Sequence, residues 1–391
     1  MTVRPVDLAP PAPVRFPDSG LGRGWEGATL MGLTLLILSL GLVTLYSASS
    51  VYAIRQGEPD HYFVLRQAMG AGVGLLLLVA CAYVPYRLWS LVSWPLLSAA
   101  GVLLLLCVLP WTHAIAPEIN GARRWLRLGV TIQPSEIAKI AVIVWTAATA
   151  VRKVEHFRSL RRGLAPFLVV WAVLVTLVAA EPDLSTAMVL ALLGAVVVFA
   201  AGARIAHFVF LGLLLSPLVY WQLRVGYRLE RMKVFLAQIS DPAGAGYQVK
   251  QSLVAFGSGG ISGVGIGEGR QKYGFLPEAH NDFIFAMIGE EWGFVGVLVL
   301  VLLYVSVVLI GFRIASRAPD LFGELLAVGC ASMIAVQALL HMAVGLALAP
   351  ATGLALPLVS YGRSNLLVTL VAIGILISVA RAAPGGKAAR G

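Results

Sequence analysis

Charge is what this chain has least of: only 12% of its 391 residues are Asp, Glu, Lys or Arg, against roughly 25% in a soluble globular protein. A surface so thinly charged must face lipid over most of its area. Cysteine is scarce too. Cys81, Cys107 and Cys330 all fall in apolar runs, which reads as small core residues and excludes a disulfide framework. There is no HExxH, no CxxC and no GxSxG, so metalloprotease, thiol-redox and soluble serine-hydrolase chemistry find no support. Nor is there polar sequence enough for a separate soluble domain, and the Pro-rich first 25 residues read as a tail followed by an uncleaved anchor rather than a signal peptide.

What is present is hydrophobic residue, 59% of the total. Runs of about 20 apolar residues are long enough to cross a hydrocarbon core of roughly 30 Å. Ten candidate spans can be marked, at about 27–48, 64–85, 88–110, 133–151, 164–181, 184–202, 205–223, 283–312, 323–349 and 358–381. The fold expected is therefore an all-α polytopic membrane protein of about ten transmembrane helices, with a long outer loop between the seventh and eighth. The corresponding divisions are a tail at 1–26, a membrane domain at 27–382 with its outer loop at about 224–282, and a tail at 383–391.

Basic loops set the orientation. Arg152, Lys153, Arg158, Arg161 and Arg162 lie between spans four and five, Arg313 and Arg317 follow span eight, and Arg381, Lys387 and Arg390 close the chain. The positive-inside rule makes these segments and both termini cytoplasmic. Other cations then fall on the outer side: Arg123, Arg124 and Arg127 in "NGARRWLRLG", and Arg224, Arg228, Arg231, Lys233, Lys250, Arg270 and Lys272 after span seven. An anionic outer ligand would explain them; so would the indifference of long loops to charge.

Ionisable groups gather at the junctions of these outer loops with the spans. Asp282 opens span eight, where a carboxylate can cap the helix, act as a general base or hold a divalent cation such as Mg or Mn against a phosphate. Glu290 and Glu291 follow two turns later, at a depth that demands internal partners. Glu278 and His280 precede Asp282. In "QPSEIAKIA", Glu136 and Lys139 share a helix face and can pair. Glu181 and Asp183 flank Pro182, where turns and caps are the ordinary use. The eight glycines from Gly257 to Gly274 could offer backbone N–H groups to phosphate or simply make a flexible loop. They form no Rossmann or P-loop pattern.

Four stretches carry a resemblance. "DPAGAGYQVKQSLVAFGSGGISGVGIGEGRQKYGFLPEAHNDFIFAMIGEEWGFVG", "NGARRWLRLGVTIQPSEIAKIA", "EPDLSTA" and "GLALPLVSYGRSN" resemble, in order, signatures of the SEDS proteins, the shape, elongation, division and sporulation polymerases. The match runs from about 27 to 382 and looks closer to the division branch than to the elongation branch. The resemblance implies a peptidoglycan glycosyltransferase that polymerises lipid II at the outer leaflet of the cytoplasmic membrane during division, alongside a class B penicillin-binding protein and other division proteins. No nucleic acid is implied, and no cofactor beyond the divalent cation already considered.

By the same resemblance Asp282 matches the family's essential aspartate, Arg124 its basic outer position and Lys139 its span-four lysine. The remaining candidates for substrate binding are Arg123, Glu136, Asp183, Gln251, Ser252, Lys272, Glu278, His280 and Ser360. Asn281, Arg363 and Asn365 depart from the family pattern. A lipid II transporter and a scaffold for the penicillin-binding protein stand as rival readings, since both would share the spans. Gly329, Ala331 and Ser332 are small enough to admit a partner's helix, or another helix of this chain.

Overall fold

The computed structural model describes residues 24–118, 122–157, 159–209, 212–213 and 245–383. Residues 1–23 of the first expected tail and 384–391 of the second, with Lys387 and Arg390, lie outside the described residues, as do most of the seventh span, Arg158, and the stretch 224–244 with Arg224, Arg228, Arg231 and Lys233.

Helices dominate, as backbone groups in lipid must be satisfied within their own segment. In order they are α1 (Trp25–Arg55), α2 (Tyr62–Tyr83), the short α3 (Leu88–Leu91), α4 (Ser93–Val108), α5 (Pro134–Lys153), α6 (Ala165–Ala180), α7 (Leu184–Ala200), α8 (Ala245–Gly259), α9 (Ile284–Glu291), α10 (Gly293–Ser316), α11 (Leu321–Gly345) and α12 (Arg363–Ala382). A π turn, Leu160–Leu164, leads into α6. Six helices among the described residues are long and apolar enough to cross a membrane: α1, α2, α6 with its π turn, α10, α11 and α12. α4 and α7 are shorter and apolar. The molecule is a multi-pass membrane protein.

Helix starts follow the local chemistry. Pro134 occupies the first turn of α5, where its missing N–H costs nothing. Asp183 caps α7 and Asp320 caps α11 through the N–H groups of Thr186 and Gly323. α5 carries four charged residues yet lies at the centre, packed against α4, α7, α11 and α12, with most of its side chains buried. Small residues permit this. A methyl group on Gly329 of α11 would come within 2.4 Å of Ile143 Cγ2 on α5.

The helices alternate in direction and sort the polar residues to two ends. At one end Glu26 Oε1 accepts from Arg313 Nε at 3.1 Å and from Arg317 Nη1 at 2.5 Å, Tyr86 Oη donates to Asp320 at 2.7 Å, and Arg381 donates to Ala82 O at 2.9 Å. Residues 122–136, 181–183, 278–283 and 350–365 gather at the other.

Two expected spans change. Span eight is not one helix: it breaks at Trp292 into α9 and α10, and Gly293 sits at φ +67°, a backbone state that glycine adopts without strain. Span ten starts at Arg363 rather than near 358. The preceding 350–362 is non-helical but buried around Leu354, Leu356, Leu358 and Val359, and Pro357 removes a helix donor there. A small antiparallel hairpin pairs β1 (Leu126–Leu128) with β2 (Val130–Ile132), turning at Gly129 with φ +81°. Gly329 and Ala331 face this chain's own helices: Gly329 meets Ile143 and Val197, and Ala331 meets Gly311 of α10. They offer no seat for a partner's helix.

Candidate active site

Asp282 lies in an irregular stretch between a 3₁₀ turn (Gln271–Tyr273) and α9. The helix starts later than the capping expectation, with Phe283 at the cap position. Asp282 is half-buried. Its N–H and that of Asn281 both donate to Glu278 O at 3.0 Å, and Glu278 holds φ +53°, a strained value for a non-glycine residue. A methyl group on Gly353 would meet nothing nearer than Asp282 Oδ2, at 3.9 Å. The carboxylate therefore stands beside Gly353, at van der Waals distance from where a side chain there would begin.

The neighbours of Asp282 are held by aromatic packing. The buried His280 ring lies 4.8 Å from Tyr52, 5.0 Å from Phe63 and 6.0 Å from Tyr361, centroid to centroid. Burial lowers its pKa to about 4, so it is neutral at pH 7. Burial also pushes the Glu278 carboxyl up from its ordinary value. Ser360 Oγ donates to Asn281 O at 2.7 Å, and Tyr361 N–H donates to His280 O at 3.1 Å. Of the candidate set, Asp282, Glu278, His280 and Ser360 are thus brought together.

Arg123 and Arg124 fasten loops. Arg124 donates from Nε to Glu181 O at 3.0 Å and from Nη2 to Pro182 O; Arg123 donates to Leu109 O and, at 3.0 Å, to Thr112 Oγ1. Asp183 accepts from Thr186 N and Oγ1, capping α7. The Glu181 carboxyl is 2% exposed, with the weakly donating Cys107 thiol beside it. Burial, with the Asp183 charge adding to it, raises its pKa to about 9, so it is protonated at pH 7.

Lys139 is fully buried and pairs with Glu136 at 2.7 Å, one way for a charge at that depth to be tolerated. Glu136 also accepts from Asn365 Nδ2 at 3.1 Å, and the same nitrogen donates to Gln337 Oε1 at 2.6 Å. This chain joins α5, α12 and α11.

The glycine-rich stretch turns its backbone toward the break in span eight. Val264 and Gly265 N–H donate to Glu290 O and Glu291 O at 3.0 and 3.1 Å, while Phe294 and Val295 N–H donate to Gly260 O and Ile261 O at 2.9 and 3.1 Å. The Glu290 carboxylate accepts from Arg270 N at 2.8 Å and Gln271 N at 3.2 Å. Glu291 Oε1 accepts from Ser47 Oγ at 2.5 Å and pairs with buried Lys272 at 3.5 Å. Lys272 is therefore a structural cation in this arrangement. Ser252 is likewise structural, donating to Gly345 O at 2.6 Å, and Gln251 lies half-buried on α8.

The sequence profile of the FtsW/RodA/SpoVE family, described as a cell cycle protein, matches residues 28–384. The chain belongs to this family. An FtsW from Trichlorobacter lovleyi, described as a probable peptidoglycan glycosyltransferase, is 42% identical over 352 residues, covering 90% of this chain and 92% of that one. The stage V sporulation protein E of Bacillus subtilis is 41% identical over 354 residues, covering 90% and 96%. A structure described as a peptidoglycan synthase complex that coordinates polymerization and crosslinking superposes with a TM-score of 0.76 at 31% identity, covering 90% of this chain and 97% of its own. The crystal structure of RodA from Thermus thermophilus gives a TM-score of 0.65 at 30% identity, covering 92% and 96%.

For an FtsW/RodA/SpoVE protein, two site residues escaped the sequence reading. Gln67 of α2 bonds the 360–362 turn, and Gln337 of α11 completes the buried chain to Glu136. Both sit in apolar runs, where a lone glutamine is the only signal. Asn365, read as a departure, is what links Glu136 to Gln337.

Proposed function

We propose that this chain is a peptidoglycan glycosyltransferase that polymerises lipid II, with Asp282 as general base. The observation that supports this is the Asp282 carboxylate, half-buried beside Gly353 at the junction that also gathers Glu278, His280 and Ser360. The relatives' descriptions supply the reaction class.

In the proposed step, Asp282 takes the proton from the incoming sugar hydroxyl. That oxygen forms a bond to the anomeric carbon of the growing chain, and the bond from that carbon to the pyrophosphate oxygen breaks with inversion. The electron pair leaves on the undecaprenyl pyrophosphate, and the proton on Asp282 passes to water. Arg124, already anchored beside Glu181, is assigned to the developing charge on the pyrophosphate; Lys139, expected to share that task, is instead fully buried against Glu136 and is not open to substrate. Among the described residues no three His, Cys, Asp or Glu side chains gather as a metal cage. A single carboxylate with substrate phosphates still suits Mg, which commonly binds in that way; the ion would supply charge neutralisation at the pyrophosphate.

The basic segments at the opposite end support putting the end bearing Asp282 at the outer face. Both termini are then cytoplasmic, the membrane is the cytoplasmic one, and the working site is the division septum. The class B penicillin-binding protein is the proposed partner, supported by the synthase complex that this fold resembles.

The test is polymerisation of lipid II by purified protein, read as glycan on a gel. Asp282→Asn is expected to lower the rate by about 10²- to 10⁴-fold. Glycan at the wild-type rate would overturn the role of Asp282. Lipid II transport without glycan, by the wild-type protein, would favour a transporter instead.

A further inference from the structure

Asp282 rides on residues 274–283, a stretch without regular secondary structure, so something outside the stretch must fix where its carboxylate stands. Two bonds fasten it to the neighbouring turn, from Ser360 Oγ to Asn281 O and from Tyr361 N–H to His280 O. That turn is held in its own right by one side chain of α2. Gln67, 1% exposed, donates from Nε2 to Ser360 O at 2.9 Å, and its Oε1 accepts from Gly362 N–H at 3.3 Å. Both halves of the amide are spent on one three-residue turn. Rotating it by half a turn would set donor against donor and acceptor against acceptor, so this network admits one orientation.

We infer that Gln67 is a positioning residue for Asp282: by clamping residues 360–362 against α2 it fixes the turn that in turn fixes the backbone at 280–281, and with it the reach of the carboxylate. The inference rests on the reading of Asp282 as the base. The side chain does not touch substrate in this scheme. Its effect arises because misplacing a reacting group by about 1 Å can cost on the order of 10²-fold in rate.

A double-mutant cycle with lipid II as substrate tests this, using the full chain with its transpeptidase partner. Gln67→Met keeps the length and removes both hydrogen bonds. It is expected to lower kcat by at least about 10-fold, with KM shifted less than about 3-fold, and to add nothing in an Asp282→Asn background. Hydrogen exchange should quicken at 279–283 and 359–363 while α10 and α11 keep their protection. Gln67→Glu adds a readout that a merely structural role would not move. Protonated, its carboxyl can donate to Ser360 O and accept from Gly362 N–H; ionised, it cannot donate. Its activity relative to wild type should therefore rise as pH falls.

Wild-type kcat in Gln67→Met, equal losses with and without Asp282, or a flat relative pH profile for Gln67→Glu would each overturn the inference. If Asp282→Asn leaves only background activity, the exchange rates at 279–283 decide, and unchanged rates overturn it. Failure of the base assignment shows separately, as wild-type glycan synthesis in the Asp282→Asn arm.

Discussion

At the scale of single residues, burial of an ionisable group has a measurable consequence. The Glu181 pKa is raised from 4.5 to about 9, so the unfolded chain gives up this proton first as pH climbs. The contribution to stability is fully present below about pH 4.5 and is lost progressively toward about pH 9. Glu181→Gln should flatten this part of a thermal-stability profile against pH and be the more stable protein above pH 9. His280 works in the other direction. Its pKa falls from 6.5 to about 4, so its contribution is present above 6.5 and is lost as pH falls between those values. A His280→Phe variant should lose the acid-side decline while keeping the ring packing against Tyr52 and Phe63; melting curves from pH 4 to pH 7 would show it.

Single elements show how a charged helix can sit at the centre of a membrane protein. α5 was legible from Pro134, Glu136 and Lys139, including the pairing of the last two. What could not be read was the third link, Asn365, because it lies more than two hundred residues away. Removing one member of a buried pair leaves an uncompensated charge, typically about 3–5 kcal/mol. Lys139→Met should therefore destabilise more than Glu136→Gln/Lys139→Met, as judged by melting temperature in detergent. Glu290 makes a similar point at the broken span. Its two adjacent carboxylates were readable as needing internal partners; that they would hold the glycine-rich loop was not. Glu290→Ala leaves the N–H groups of Arg270 and Gln271 without their acceptor. It should raise hydrogen exchange at 264–272, while the first half of α12 stays protected.

Across the whole molecule, the alternation of helix direction puts the basic segments at one end and the Asp282 site at the other. This makes sidedness testable with two cysteines in otherwise exposed positions, Glu155→Cys near the basic end and Glu268→Cys in the glycine-rich loop. In intact spheroplasts a membrane-impermeant maleimide should label Glu268→Cys and leave Glu155→Cys unlabelled until the membrane is opened. The reverse pattern would place Asp282 on the cytoplasmic side and remove the proposed function. Interaction with a partner also belongs to this scale. α10 exposes Phe294, Leu298, Leu302 and Leu309 outward, whereas the small residues of α11 are already covered by α5 and α10.

Composition alone determined that this chain lives in lipid, because so few charges cannot cover so large a surface in water. Local motifs determined several helix starts and the Glu136–Lys139 pair, since caps and i,i+3 spacing are properties of neighbouring residues. Only the tertiary structure decided that span eight breaks at Trp292, that Arg123 and Arg124 spend hydrogen bonds on main-chain carbonyls, and that Gln67 reaches the 360–362 turn. Those outcomes depend on which backbone groups are left unpaired when distant segments meet, and a linear sequence does not state that.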